Sequence, residues 1–169
     1  NQLLQRAKNE EEILSQTASQ LMKLLNRSLI VYPEQNGDLG SEQVFGIDGE
    51  MPRNIFSAPE ERDAANWTFA NKKRSGAGTD SYPDAKGLYL ALRTGGGVFG
   101  VIGIDLSEKP LDAFENSVLL SILGEGALAI ENRRNALEKE QAALQARNEE
   151  LRANLLRTIS HDLRTPLTS

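Results

Sequence analysis

Residues 87–105 read GLYLALRTGGGVFGVIGID, two apolar runs on either side of Thr94-Gly95-Gly96-Gly97. Short apolar runs bounded by turn residues read as strands, and a glycine joint between them reads as a hairpin, because glycine reaches the backbone angles that a tight turn demands. The spacing predicts strands over 87–93 and 98–105 in an antiparallel sheet. Gly100 and Gly103 lie inside the second strand, where a missing side chain lets another backbone or a ligand approach closely.

Upstream, Ser28–Tyr32 is apolar and β-branched and is followed by Pro33 and Asn36-Gly37, a strand leading into a turn; Gln43–Ile47 is a weaker strand. Pro59, Glu60 and Glu61 open a helix that runs to Asn71, with proline in the first turn and acids complementing the dipole. Trp67 and Phe69 are expected to anchor it. Residues 74–86 break the pattern at Ser75-Gly76-Ala77-Gly78-Thr79-Asp80 and again at Pro83, which predicts a loop. Two readings of that loop stay open. Ser75, Gly76, Gly78, Thr79 and Asp80 could form a ligand lid, with glycine amides and the Thr79 hydroxyl meeting an anion, or the segment could be a tight structural turn. It is neither a P-loop nor a dinucleotide fingerprint, since it lacks the required order of glycine, lysine and hydroxyl residue.

Both ends are helical. Leu4, Ala7, Leu14, Ala18, Leu21 and Leu25 keep a 3-4 spacing broken only at Glu11. That seam faces either the chain's own domain or, as the recurrence of a similar seam at the other end suggests, a second subunit. From Pro110 the helical pattern continues to Pro166, too long for one globular helix, so much of it must be solvated or paired. Ile130, Leu137, Leu144 and Leu151 recur at steps of seven, with Arg134, Gln141, Asn148 and Leu155 between them. This describes a parallel two-stranded coiled coil of modest stability in which paired Asn148 side chains fix the register; a single solvated helix is the alternative.

Composition narrows the function. The 169 residues are 39% hydrophobic and 25% charged with a net charge of −5, which allows a packed core and argues against nucleic acid as a partner. No cysteine is present, so disulfides, thiolate metal sites and thioether-linked chromophores are excluded, and one histidine leaves too few ligands for zinc or haem. No run of 18 apolar residues and no signal peptide occurs, so membrane attachment is expected only through segments outside this sequence. The chain starts at Asn1 and stops at Ser169 just after a proline motif, and it reads as a piece of something longer.

The chemistry lies at the end, Thr158-Ile159-Ser160-His161-Asp162-Leu163-Arg164-Thr165-Pro166-Leu167. On a helix Leu155, Leu156, Ile159, Leu163 and Leu167 share a stripe, and at about 100° per residue His161 points away from it. A neutral exposed imidazole is a good phosphate acceptor when a neighbouring carboxylate holds or takes its other proton, and Asp162 is adjacent. Thr165 lies one turn on, where it could place a water, and Pro166 predicts a bend. These ten residues resemble the phosphoacceptor box of sensor histidine kinases. The resemblance implies that His161 takes phosphate from ATP with Asp162 as general base and passes it to a response regulator. It also implies that Thr165 assists dephosphorylation. Nucleotide and magnesium would be held by an ATP-binding domain that this sequence lacks, so these residues alone should be inactive.

Further upstream, Trp67-Thr68-Phe69, then Gly76-Ala77-Gly78-Thr79-Asp80 and Pro83, then the glycine-turn hairpin, resemble the GAF domain of KdpD-type potassium-sensing kinases. The resemblance implies an α+β fold, an antiparallel sheet flanked by helices, with long terminal helices pairing two copies in parallel. The expected order is a linker helix over 1–26, a GAF-like core over 27–109, its last helix over 110–130, a coiled-coil signalling helix over 131–157 and the start of the phosphoacceptor domain over 158–169. It implies a cytoplasmic segment of a protein in the bacterial inner membrane. GAF activities that need cysteine are excluded, and the signature of cyclic-nucleotide members is not completed after Asn71-Lys72. An unidentified small-molecule ligand, or none, remains. The alternative is a non-catalytic, ligand-free module that dimerises and passes motion from membrane helices.

Overall fold

In a computed structural model the chain is described over residues 2–47 and 55–168, the side chains of residues 2–7 and 165–168 excepted. Its elements run α1 (Gln2–Leu25), β1 (Leu29–Gln35), β2 (Asp38–Leu39), β3 (Gln43–Phe45), α2 (Pro59–Asn71), β4 (Ser75–Gly76), β5 (Gly87–Thr94), β6 (Gly97–Asp105) and α3 (Ala113–Thr168). The chain divides into two units, Asn1–Glu131 and Asn132–Ser169.

The hairpin read from the sequence is the middle of the sheet. β5 and β6 pair antiparallel from Gly87 opposite Asp105 to Thr94 opposite Gly97, with a register shift at Leu92/Arg93 that leaves Phe99 as the extra residue. β6 pairs on its other side with β1, which carries β2 and β3, and β4 extends the sheet beyond β5, so the order is β2-β1-β6-β5-β4 with β3 also on β1. Every strand pair among the described residues is antiparallel.

Both faces of the sheet are covered, which explains why its strands read as continuous apolar runs rather than alternating ones. On one face Leu29, Val31, Leu88, Leu90, Leu92, Ile102 and Ile104 pack with Leu14, Ala18, Leu21 and Leu25 of α1 and with Leu119, Ile122, Leu123, Ala127 and Ile130 of α3. On the other, Ile30, Tyr32, Tyr89 and Val101 meet Ala64 and Ala65 of α2 with Phe56, Leu39 and Ala85. Gly103 is required here: a Cβ there would come 2.7 Å from Ile30 Cγ2 and would collide with the Tyr89 ring. The close approach expected at Gly100 and Gly103 is made by the chain itself, at Gly100 by the Tyr32 carbonyl, 2.8 Å from where a Cβ would stand.

Several expectations need correction. The seam of α1 from Leu14 to Leu25 is buried against this chain's own sheet, within the unit Asn1–Glu131, so those residues are not left over for a second subunit. Leu4 and Ala7 lie outside the described side chains. The last helix begins at Ala113 rather than Pro110, because Asp112 caps it: Asp112 Oδ1 accepts from the Glu115 amide at 2.7 Å and Glu115 Oε1 accepts from the Asp112 amide at 3.2 Å. Residues 74–86 are not all loop, since Ser75-Gly76 pairs with Tyr89 and Leu88. α2 is anchored by Glu61, Ala64, Ala65 and Thr68, with half-buried Phe69 packed against the same core as expected, while Trp67 is half-buried without a place in it. The backbone of α3 is helical through Pro166 to Thr168. One 18-residue window in Ala113–Arg164 reaches a mean hydropathy of 1.3, enough by length and composition to cross a membrane, where no such segment was expected. The apolar residues of α3 up to Ile130 include five that are buried against the sheet.

Candidate functional site

In the second unit, Asn154, Arg157, Thr158 and His161 fall at i, i+3, i+4 and i+7 of α3 and line one open groove. The His161 side chain is 81% exposed, and its Nδ1 stands 3.7 Å from Asp162 Oδ1. A carboxylate on the Nδ1 side leaves the opposite ring nitrogen, Nε2, as the one a reaction on this ring would use. Thr158 donates to the Asn154 carbonyl at 3.0 Å. The stripe opposite is uncovered in a single chain: Leu155, Leu156, Ile159 and Leu163 are 45–61% exposed. Leu144 and Leu151 are exposed as well. The side chains of Thr165, Pro166 and Leu167 lie outside the described residues.

The loop that offered a ligand lid uses its polar groups on itself. Ser75 is fully buried, donates to the Ala64 carbonyl at 2.7 Å and shares a hydrogen bond with Thr68 Oγ1 at 2.6 Å. The amides of Gly76, Ala77 and Thr79 donate to the carbonyls of Ser81, Gly87 and Gly76. Thr79 Oγ1 stands 2.8 Å from the carbonyls of both Gly76 and Ser81. Gly76 holds φ +93°, and a Cβ there would strike the Gly87 carbonyl, so only glycine fits. Three of the amides and the hydroxyl that an anion would need already have partners. Gly78 and Thr79 also border a cavity of about 370 Å³ with Arg74, Leu88, Leu106, Leu111 and Asn116 among its walls. Arg74 donates to Asn116 Oδ1 at 2.8 Å, and Asp80 is exposed. Among the described residues no group of three or more His, Asp or Glu side chains is placed to hold a metal.

Two polar centres escaped the sequence reading. Glu61 is buried at 2% exposure and accepts from Tyr89 Oη at 2.7 Å and from the amides of Gly87 and Lys86 at 2.9 and 3.0 Å. Burial first, then the hydrogen bond to Glu61, raises the Tyr89 hydroxyl far above its ordinary value. Tyr32 beside it is pushed to about 12 by burial and by Glu42, against the lowering effect of Arg62, whose guanidinium lies 5.2 Å from the ring centroid. The sequence signal was the set Glu61, Ala64, Ala65 and Thr68, a helical face of small and polar residues.

The second centre is Arg27. Its guanidinium reaches Glu115 at 3.1 and 3.3 Å and the carbonyls of Asp105, Lys109 and Pro110 at 3.1, 2.6 and 3.0 Å. One side chain thus ties the α1–β1 junction to the β6–α3 connection and to the first turn of α3. The hydrogen bond from Arg27 first, and the Asp112 amide second, hold the Glu115 carboxyl below its ordinary value of 4.5. A lowered folded-state value means stability that is complete above about pH 4.5 and lost as pH falls through the folded value. Urea unfolding from pH 6 to 3 should therefore show a steeper loss for the native chain than for Glu115→Gln. Equal slopes would deny the pair a role in acid stability.

No protein-family model matches the chain. It is similar to the sensor protein KdpD of Clostridium acetobutylicum, 35% identical over 157 residues, and to the sensor protein KdpD of Escherichia coli K12, 31% identical over 144 residues. Those alignments cover 92% and 84% of this chain but 17% and 15% of the relatives, so the chain spans about a sixth of their length. The fold is similar to the crystal structure of the native GAF domain of the potassium sensor histidine kinase KdpD from Escherichia coli, with TM-score 0.50 and 23% identity, covering 80% of this chain and 87% of that one. By sequence the chain belongs to the KdpD type of sensor protein, and its fold is that of a GAF domain.

Proposed function

We propose that the chain is the sensory and relay segment of a two-component histidine kinase that regulates potassium uptake, on the cytoplasmic side of a bacterial inner membrane. His161 accepts phosphate from ATP, held with magnesium outside these residues, and passes it to a response regulator. Asp162 takes the imidazole proton, Thr165 places the water for the reverse reaction, and two copies pair in parallel along α3 beyond Ile130.

The observation that carries this reading is the exposed His161 ring with a carboxylate on its Nδ1 side. A ring so placed can be reached by a phosphoryl donor in line, and positioning supplies most of the rate in such transfers. The test adds the matching ATP-binding domain in trans with labelled ATP. His161→Gln should take no label, and Asp162→Asn should slow labelling roughly a hundredfold. Thr165→Ala should keep labelling and lose dephosphorylation. The opposite pattern at Thr165 would overturn the roles given to the flanking residues.

A second reading, a ligand-free GAF module that only transmits motion, is favoured by the self-satisfied Ser75–Asp80 loop and by the Arg27 tie between the first and last helices. It predicts that His161 stays unlabelled.

A further inference from the structure

The face of α3 that carries His161 points to one more participant: we infer that Arg157 binds the phosphoryl group once it is on His161. The inference rests on the reading of His161 as phosphoacceptor and goes beyond it. Arg157 precedes His161 by four residues, on the same face, and lines the same groove with Asn154 and Thr158. Helical side chains lean toward the N-terminus, so the His161 ring leans back over the turn that carries Arg157 and Thr158.

In the transfer, the Nε2 lone pair forms the N–P bond while the bond from the γ-phosphorus to its bridging oxygen breaks, and that electron pair leaves on ADP. The imidazolium so formed gives its Nδ1 proton to Asp162. Asp162 thereby occupies the Nδ1 side, 3.7 Å away, and the new phosphoryl group stands on the other nitrogen. A guanidinium is the side chain best matched to phosphoryl oxygens, and no ion pair engages Arg157 among the described residues. The other charged groups within a turn of His161 are Asp162, on the Nδ1 side, and Arg164, which follows the ring in sequence and lies on the side from which it leans away. Arg157 is the cation toward which the ring leans.

The chain has one histidine, so phosphoramidate, which transfers its phosphoryl group to imidazole as ammonia leaves, labels His161 without any kinase. The phosphoryl titration is then followed by phosphorus NMR in the native chain, Arg157→Gln and Arg157→Lys. A nearby cation favours the dianion, so Arg157→Gln should raise the titration midpoint by about half a pH unit and Arg157→Lys should keep it near the native value. Both replacements are good helix formers, and circular dichroism confirms equal helix content. A native midpoint in Arg157→Gln overturns the proposal. Because the reagent needs no nucleotide, failure of labelling from ATP would strike the kinase reading and leave this titration to be judged separately.

Discussion

Glu61→Ala should destabilise the GAF domain by about 3 kcal/mol, because it strips three donors of their acceptor at once. The Tyr89 hydroxyl and the amides of Lys86 and Gly87 all end on the Glu61 carboxylate, which is 2% exposed. Alanine offers no acceptor and leaves a void too closed for bulk water, so buried donors lose their bonds outright. For a domain of this size the loss corresponds to a melting shift of roughly 10 °C. Glu61→Gln keeps one acceptor oxygen and should recover part of it, and Tyr89→Phe, which removes a single bond, should cost about 1 kcal/mol. Urea unfolding of the three variants checks this. A Glu61→Ala domain as stable as the native one would show that the network does not hold α2 to the start of β5.

Leu144→Glu combined with Leu151→Glu should convert a dimer into a monomer. Both leucines lie on the seven-residue seam and are 45% and 58% exposed in a single chain, an apolar surface that a solvated helix has no use for. Covering a leucine is worth roughly 2 kcal/mol, and each substitution acts twice in a symmetric pair. The added carboxylates would also face their own copies. Sedimentation equilibrium should give the monomer mass for the double variant and twice that for the native chain. A dimer mass that survives both substitutions would place the interface on other residues.

How much of this could be read from the residues depends on where each side chain finds its partner. The hairpin and α2 were legible because their signals are local: a glycine joint between apolar runs, and Pro59 followed by acids. The strand limits came within a residue of β5 and β6, and the α2 limits matched. The seam of α1 was ambiguous because a 3-4 spacing looks the same whether a sheet or a second helix covers it, and the sheet took Leu14 to Leu25. β4 was invisible, since two residues carry no alternation. Arg27 and Glu61 were missed because their partners lie far along the chain, at 105–115 and 86–89, and charged residues usually read as solvated. The outward placement of His161 was legible for the opposite reason: its exclusion from the leucine stripe is a property of the helix alone, and the side chain is exposed in the structure.

The central claim is that this one histidine receives the phosphate, and the most direct measurement is the position and chemistry of the label. The chain is incubated with the matching ATP-binding domain, magnesium and ATP labelled at the γ-phosphorus, then digested and mapped by mass spectrometry under neutral conditions. The account predicts one phosphoryl group per chain, on the peptide that contains His161, stable in alkali and lost in acid as a phosphoramidate bond should be. Label on a serine, threonine or aspartate, or label that persists in His161→Gln, would contradict it.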